Sequence, residues 1–233
     1  MTALNPECST RKDIAVPITK KIIMAGTGLS LVAFLVIHLV GNLTFFAGPD
    51  GINVYAKTLH SVSIVVWLFR SAIALILVFH VWYAIKLTLE NNAARPVPYA
   101  KRVYQKSTVL SRSMIWTGLT VLTFLVYHIL QFTLQCLDPL HSAAVLRDGM
   151  GRPDVYKMMV SGFSNPLSLA IYLIGLSALA VHLSHGLHSA MLSIGLATRR
   201  ALPVWVGCAA LVAVVFFVAF LSIPAGVFSG IMK

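Results

Sequence analysis

Six of the chain's eight histidines lie inside long apolar stretches: His38, His80, His128, His182, His185 and His188. A polar side chain in hydrocarbon is costly unless something satisfies it, so intramembrane ionisable residues usually face a partner and mark function. An imidazole in that position can hydrogen-bond a neighbouring helix, pass a proton, or give a lone pair to a metal. One such histidine is most simply an interhelical hydrogen bond. At least one in each of four successive stretches points to shared ligands.

The elements that must position them follow from composition. The chain has 233 residues, of which 58% are hydrophobic and 11% charged, with mean hydropathy +0.85. A soluble domain of this length cannot hide so much apolar surface. A bilayer core of about 30 Å takes about 20 apolar residues per helix. Five stretches qualify, at residues 22–47, 64–89, 113–137, 166–196 and 203–228. The expected fold is all-α, a single membrane domain over residues 1–233 built as a five-helix transmembrane bundle. Gly26, Gly28, Gly118, Gly175 and Gly186 are expected to permit close helix contact. Turn-rich connectors stand at Gly48-Pro49-Asp50-Gly51, Arg95-Pro96-Val97-Pro98 and Asp148–Pro153.

The formal net charge is +11, but the basic residues cluster between apolar runs and form no continuous face for nucleic acid. Counting Lys and Arg at the helix ends assigns orientation. Arg11, Lys12, Lys20, Lys21, Lys86, Arg95, Lys101, Arg102, Lys106, Arg112, Arg199 and Arg200 fall on one side, against Lys57, Arg147, Arg152, Lys157 and Lys233 on the other. The N-terminus is therefore expected in the cytoplasm and the C-terminus outside. Residues 1–16 are polar and do not read as a cleaved signal peptide. Cys8, Cys136 and Cys208 form no C-x-x-C pair, which excludes a covalent c-type haem.

Depth sorts the histidines. At about 1.5 Å per residue, His38 lies roughly 25 Å beyond Lys21, in the outer half of the first helix. His128, sixteen residues past Arg112, reaches a similar level; His80 and His182 each lie sixteen residues into helices that run inward. Two layers result, His38 with His128 outside and His80 with His182 inside. Counting back from Arg199 instead leaves His182 nearer the middle. Two imidazoles facing each other from different helices can hold a haem iron from both sides, as in cofactor sites of helical bundles. Iron so held has no open position, which favours electron transfer over oxygen chemistry. His182, His185 and His188 could alternatively hold zinc, but no carboxylate stands nearby in the helix to act as a base. Arg70 is the one charged residue well inside a stretch. It either snorkels outward or neutralises a buried carboxylate. Trp67, Trp116 and Trp205 read as interfacial belt residues.

Three runs of residues carry a resemblance. The first is His38-Leu39-Val40-Gly41-Asn42-Leu43 with Phe46, Gly48, Asn53, Tyr55-Ala56 and Leu59-His60. The second is His80 followed by Asn91-Asn92-Ala93-Ala94-Arg95-Pro96 and Tyr99. The third is His182-Leu183-Ser184-His185-Gly186 with Ser189. Over nearly its whole length the chain resembles the single-chain, five-helix, di-haem cytochrome b membrane anchors of succinate dehydrogenases and fumarate reductases, the membrane part of respiratory complex II. The resemblance implies two b haems, His38 and His128 holding the distal iron and His80 and His182 the proximal one. The family ligand in the fourth helix precedes a glycine by four residues, as His182 precedes Gly186. His185 is the reserve candidate, or lines a haem edge or propionate, as does Arg70. The resemblance also implies a bacterial cytoplasmic membrane, a flavoprotein and an iron–sulfur subunit as partners carrying FAD and clusters, and a quinone, menaquinone in most such anchors. Succinate chemistry then sits on a partner, and no catalytic residue is assigned to this chain. Some fumarate-reducing members carry a proton-transferring glutamate two residues before the fourth-helix ligand. Here that position is Ala180.

Two other readings compete. One is the cytochrome b subunit of a hydrogenase or formate dehydrogenase, against which the run from His38 to His60 argues. The other is a haem-free transporter with histidine proton carriers, disfavoured because five helices do not divide into two halves.

Overall fold

The computed structural model of the protein describes residues 11–93, 109–198 and 200–233. Seven α-helices follow in order: α1 (Arg11–Leu43), α2 (Gly48–Ser61), α3 (Ser63–Ala93), α4 (Val109–His128), α5 (Val155–Ser164), α6 (Pro166–Ser193) and α7 (Leu202–Phe228). Among the described residues there is no strand, only an isolated bridge between Arg147 and Pro153. Five helical segments are long and apolar enough to cross a membrane, those built on α1, α3, α4, α6 and α7. Their outer faces carry exposed Trp67, Leu68, Trp82, Trp116, Leu167, Val204 and Leu211. Apolar surface on that scale is stable against lipid and not against water.

The short helices α2 and α5 sit together and cap one end of the bundle. The opposite end, where α1 begins and α3 finishes, is here the open end; an ion pair from Lys20 to Glu90 at 2.5 Å ties those two helices there. Local chemistry explains where the cap forms. After α1 the chain makes one tight turn over Thr44–Ala47, and Gly48 takes φ +79°, a conformation that costs any side chain. Pro49 then opens α2 in its first turn, where a missing N–H costs nothing. Asp154 caps α5 by accepting from the Lys157 N–H at 3.0 Å, and Asn165 caps α6 by accepting from the Leu167 N–H at 2.9 Å.

The cap is held by a polar knot. Asn53 is fully buried on α2; its carbonyl accepts from the Tyr156 N–H at 3.0 Å and its amide donates to Asp154 at 3.2 Å. Arg152 donates to Asp148 at 2.6 Å and also pairs with Asp50. Burial pushes the Asp148 carboxyl up, but bonds from the Arg152 side chain, the Arg152 N–H and the Met150 N–H outweigh it and hold the group below its ordinary range. Beneath the knot, Phe45 stacks on Tyr156 with ring centres 4.6 Å apart, above a core of Phe163, Tyr172, Leu176, Ile223 and Val227.

Several expectations change. The Gly48–Gly51 run begins a helix instead of a simple turn, because Gly-Pro-Asp is also a helix-start sequence. The first α-helix ends at Leu43, not near residue 47. The third ends at His128 and passes into a π-turn over Ile129–Thr133, so it falls short of residue 137 as an α-helix. Nothing lies within 4 Å of a methyl placed on Gly26, which therefore makes no close helix contact. Cys8, Arg95-Pro96-Val97-Pro98, Tyr99, Lys101, Arg102, Lys106 and Arg199 lie outside the described residues.

Candidate functional site: two facing histidine pairs

Helices α1 and α4 bring His38 and His128 together, with ring centres 5.7 Å apart. Helices α3 and α6 bring His80 and His182 together at 6.4 Å. The ring facing His80 is that of His182; His185 lies edge-on to His188 at 4.7 Å, on the same helix. The levels of the pairs follow from glycines. A methyl on Gly28 would meet the His80 ring at 3.2 Å, and one on Gly118 would meet the His182 ring at 3.3 Å. Each of these glycines stands ten residues before the other histidine of its helix, His38 or His128. At about 1.5 Å per residue both helices give a separation of about 15 Å between the pairs. His38 and His128 are nearer the cap, His80 and His182 nearer the open end. The count from Pro166, not that from Arg199, gives the level at which His182 stands.

Hydroxyls orient three of the four rings. Thr27 donates its one hydroxyl hydrogen to backbone carbonyls of its own helix, Ile23 at 2.9 Å and Met24 at 3.1 Å. With that hydrogen so used, its contact with His80 Nδ1 at 3.2 Å suits a ring that donates. Thr117 does the same for His182: it donates to Ser113 and Met114, and contacts His182 Nδ1 at 3.2 Å. A ring that donates from Nδ1 in this way keeps its lone pair on Nε2, the form in which imidazole binds a metal. His128 Nδ1 lies 2.8 Å from the Tyr172 hydroxyl. Phe34 stacks on His38 at 5.4 Å and Phe124 packs against His128 at 6.1 Å.

This geometry accepts a metal held between two rings. An imidazole nitrogen binds a first-row metal at about 2 Å, and the ring centre lies about 1 Å behind it, so two opposed ligands put their centres about 6 Å apart. The observed 5.7 and 6.4 Å bracket that value. An apolar groove of about 290 Å³ opens between α3 and α4 at the level of the His80 pair, lined by Leu77, Val78, Val81, Trp82, Ile85 and Leu122. Among the described residues no group of three or more His, Cys, Asp or Glu side chains is gathered for a metal. The His182, His185 and His188 zinc alternative therefore has no third ligand in place. Arg70 lies over the Trp67 ring at 5.2 Å, and among the described residues it makes no ion pair. His185 Nδ1 is buried without a partner.

Reading the sequence stretch by stretch missed a repeat. Met24-x-x-Thr27-Gly28-Leu29-Ser30 with Phe34-Leu35-Val36 and His38 recurs ninety residues later as Met114-x-x-Thr117-Gly118-Leu119-Thr120 with Phe124-Leu125-Val126 and His128. Units α1–α3 and α4–α6 are thus two copies of one design, each a spanning helix, an amphipathic capping helix and a returning helix. Four of the five spanning helices divide into halves and α7 stands outside them. Equivalent histidines face each other, His38 with His128 and His80 with His182. That repeat is the signal by which Thr27 and Thr117 were recoverable from sequence. No family model, no curated protein and no solved structure matches this chain.

Proposed function

We propose that the protein is the haem-bearing membrane anchor of a succinate:quinone oxidoreductase, passing electrons between an iron–sulfur subunit and a membrane quinone, expected to be menaquinone. The observation that supports the haem half of this reading is the pair of imidazoles brought together at each of two levels, with ring centres 5.7 and 6.4 Å apart. His38 and His128 would hold one b haem and His80 and His182 the other. A haem so ligated supplies one-electron transfer. The chain's own residues orient the imidazoles through Thr27, Thr117 and Tyr172, and pack Phe34 and Phe124 against His38 and His128. Stacking the levels about 15 Å apart gives electrons two stations across the bilayer.

The succinate half rests on the resemblance described above, with its flavoprotein and iron–sulfur partners and a bacterial cytoplasmic membrane. Residue charge supports placing the open end, with Lys20, Lys21, Lys86, Arg112 and Arg200, in the cytoplasm. There a basic surface suits either lipid headgroups or a docked subunit.

The test is purification from native membranes with whatever subunits accompany the chain. A reduced-minus-oxidised spectrum with b-type bands and two haems per chain supports the haem reading, and absence of those bands rejects it. Replacing His80 or His182 by Ala should remove one haem and spare the other, with His38 and His128 doing the converse. A co-purifying flavoprotein with succinate–quinone activity supports the dehydrogenase assignment, whereas a nickel or molybdenum subunit transfers the anchor to a hydrogenase or formate dehydrogenase.

A further inference from the structure

We infer that α3 and α4 form a site for one anionic phospholipid, with the Arg70 guanidinium on its phosphate and the groove between the helices holding an acyl chain. The site requires the spanning helices alone and stands apart from the haem reading.

Arg70 is the one charged residue well inside a spanning stretch. A cation in that position is costly unless it is paired or drawn to the interface. No carboxylate whose side chain is described serves it: Asp50 and Asp148 pair with Arg152, Glu90 with Lys20 and Asp138 with His141, and Asp154 accepts from Asn53. An anion from outside the chain is the partner left.

The direction of the side chain says where that anion comes from. Arg70 stands seven residues, about 10 Å, inside the start of α3 at Ser63. Helical side chains lean toward the N-terminus of their helix, which here is the capped end. The guanidinium accordingly lies over the Trp67 ring, 5.2 Å from its centre. Trp67 is 64% exposed, on the outer face of the bundle, so the cation stands where indole rings meet lipid headgroups. The repeat sharpens the contrast. Tyr172 precedes His182 by ten residues as Arg70 precedes His80, yet Tyr172 turns inward and bonds His128 at 2.8 Å.

The groove continues the same face. Leu77 and Val81 stand seven and eleven residues after Arg70, two and three turns along one side of α3. With Val78 and Ile85, and with Leu122 of α4, they wall the groove of about 290 Å³. A space of about 150 Å³ takes a benzene ring, so this one takes a length of hydrocarbon chain. A cation at the headgroup level above an apolar trough that runs inward matches the layout of a phospholipid. Free phosphate would gain nothing from the trough. The flank that corresponds under the repeat lies between α6 and α1, and it is filled by protein: α1 packs on α6, and α7 packs on both. Lipid takes on the α3–α4 flank the place that α7 takes on the other.

The experiment uses the chain purified with its accompanying subunits and reconstituted in phosphatidylcholine nanodiscs. A trace of phosphatidylglycerol or of phosphatidylcholine is added, each with a diazirine on one acyl chain. Cross-linked peptides are mapped by mass spectrometry, and a b-haem spectrum is taken on the same sample. The phosphatidylglycerol probe should label residues 74–85 and 118–126 about tenfold more than the phosphatidylcholine probe. Excess unlabelled phosphatidylglycerol should suppress that label, and inorganic phosphate should not. In Arg70→Gln the ratio between the probes should fall to about one with the haem spectrum retained. Val81→Trp fills the groove and should remove the label. Equal labelling by the two probes in the unmodified protein makes the groove ordinary lipid-facing surface and overturns the inference. Suppression by inorganic phosphate overturns it in favour of a simple anion site, and loss of a b-type band in Arg70→Gln overturns it in favour of a haem propionate. A headgroup preference in protein without b-type bands keeps the lipid site and rejects the haem reading. The comparison of the two probes on the unmodified protein stands whether or not the variants assemble.

Discussion

Replacing Thr27 or Thr117 by Val removes one hydroxyl and almost no volume, and its consequence is calculable. In each case the lost contact is a 3.2 Å bond donated by the Nδ1–H of a proposed iron ligand, His80 or His182. A donor bond from Nδ1 increases electron density on the ring and favours the ferric over the ferrous iron. Losing it should raise the midpoint potential of the haem nearer the open end and leave the other unchanged. A neutral hydrogen bond is worth about 1 kcal/mol net. If that discriminates fully between oxidation states, the shift is about +40 mV per variant, since 59 mV and about 1.4 kcal/mol each correspond to tenfold for a one-electron couple. The double variant should show about twice the single shift, because the two threonines contact different histidines of the pair that would hold one iron. Thr→Ser at either position keeps the hydroxyl and should fall near the parent. The assay is a redox titration of the b-type absorption band, fitted to two components. Val variants that track the parent within the error of the fit, or that move the component assigned to His38 and His128, refute the assignment of these hydroxyls to that iron.

Other outcomes follow from packing and charge. Gly175→Ala places a methyl inside the Phe124 ring, so overpacking should cost about 1–3 kcal/mol and lower the thermal midpoint in detergent. Asn53→Ala strands the buried Tyr156 N–H and should cost about 1–3 kcal/mol, read in the same melt, whereas removing the exposed His141 beside Asp138 should change little. The Asp148 carboxyl is held below its ordinary range, so its contribution is present above the unfolded-state value of about 4 and is lost as pH falls through the lower folded value. Proteolysis within residues 146–154 should therefore accelerate only below about pH 4, and Asp148→Asn should abolish that pH dependence.

The bundle was legible because a membrane span is a one-dimensional signal: about 20 apolar residues announce themselves without tertiary information. The histidine levels were legible for the same reason, since rise along a helix is a count. Contacts between helices were not. Gly26 and Gly28 look alike in sequence, yet only Gly28 meets a histidine ring, and only the rotation of α1 against α3 decides which. Thr27 stands among several intramembrane hydroxyls and nothing local marks it as a ligand's partner. The capping helices α2 and α5 were hidden by their Gly-Pro and Pro-Asp openings, which signal a turn as readily as a helix start. The place of His182 was ambiguous because α6 is longer than the bilayer requires, and only its contact with Gly118 resolves the level.

The repeat explains why the histidines meet at all. In two facing copies of one unit, a residue on the shared face confronts its own counterpart, as in an isologous dimer interface. One inward histidine per spanning helix then yields two opposed pairs, and one Thr-Gly step yields two oriented rings with space beside them. Chemistry that needs two identical ligands is served by symmetry; chemistry that needs a direction must break it. The breaks are at the capped end and in α7. Tyr172 stands ten residues before His182 and bonds His128, whereas Arg70, ten residues before His80, lies over Trp67 instead. Gln131 borders a cavity where Gly41 is covered by Tyr55. Helix α7 packs on α6 and closes that flank, while the α3–α4 flank opens as a groove. A repeated frame thus brings the two histidine pairs together, and the departures from the repeat give the two members of the pair nearer the cap different surroundings.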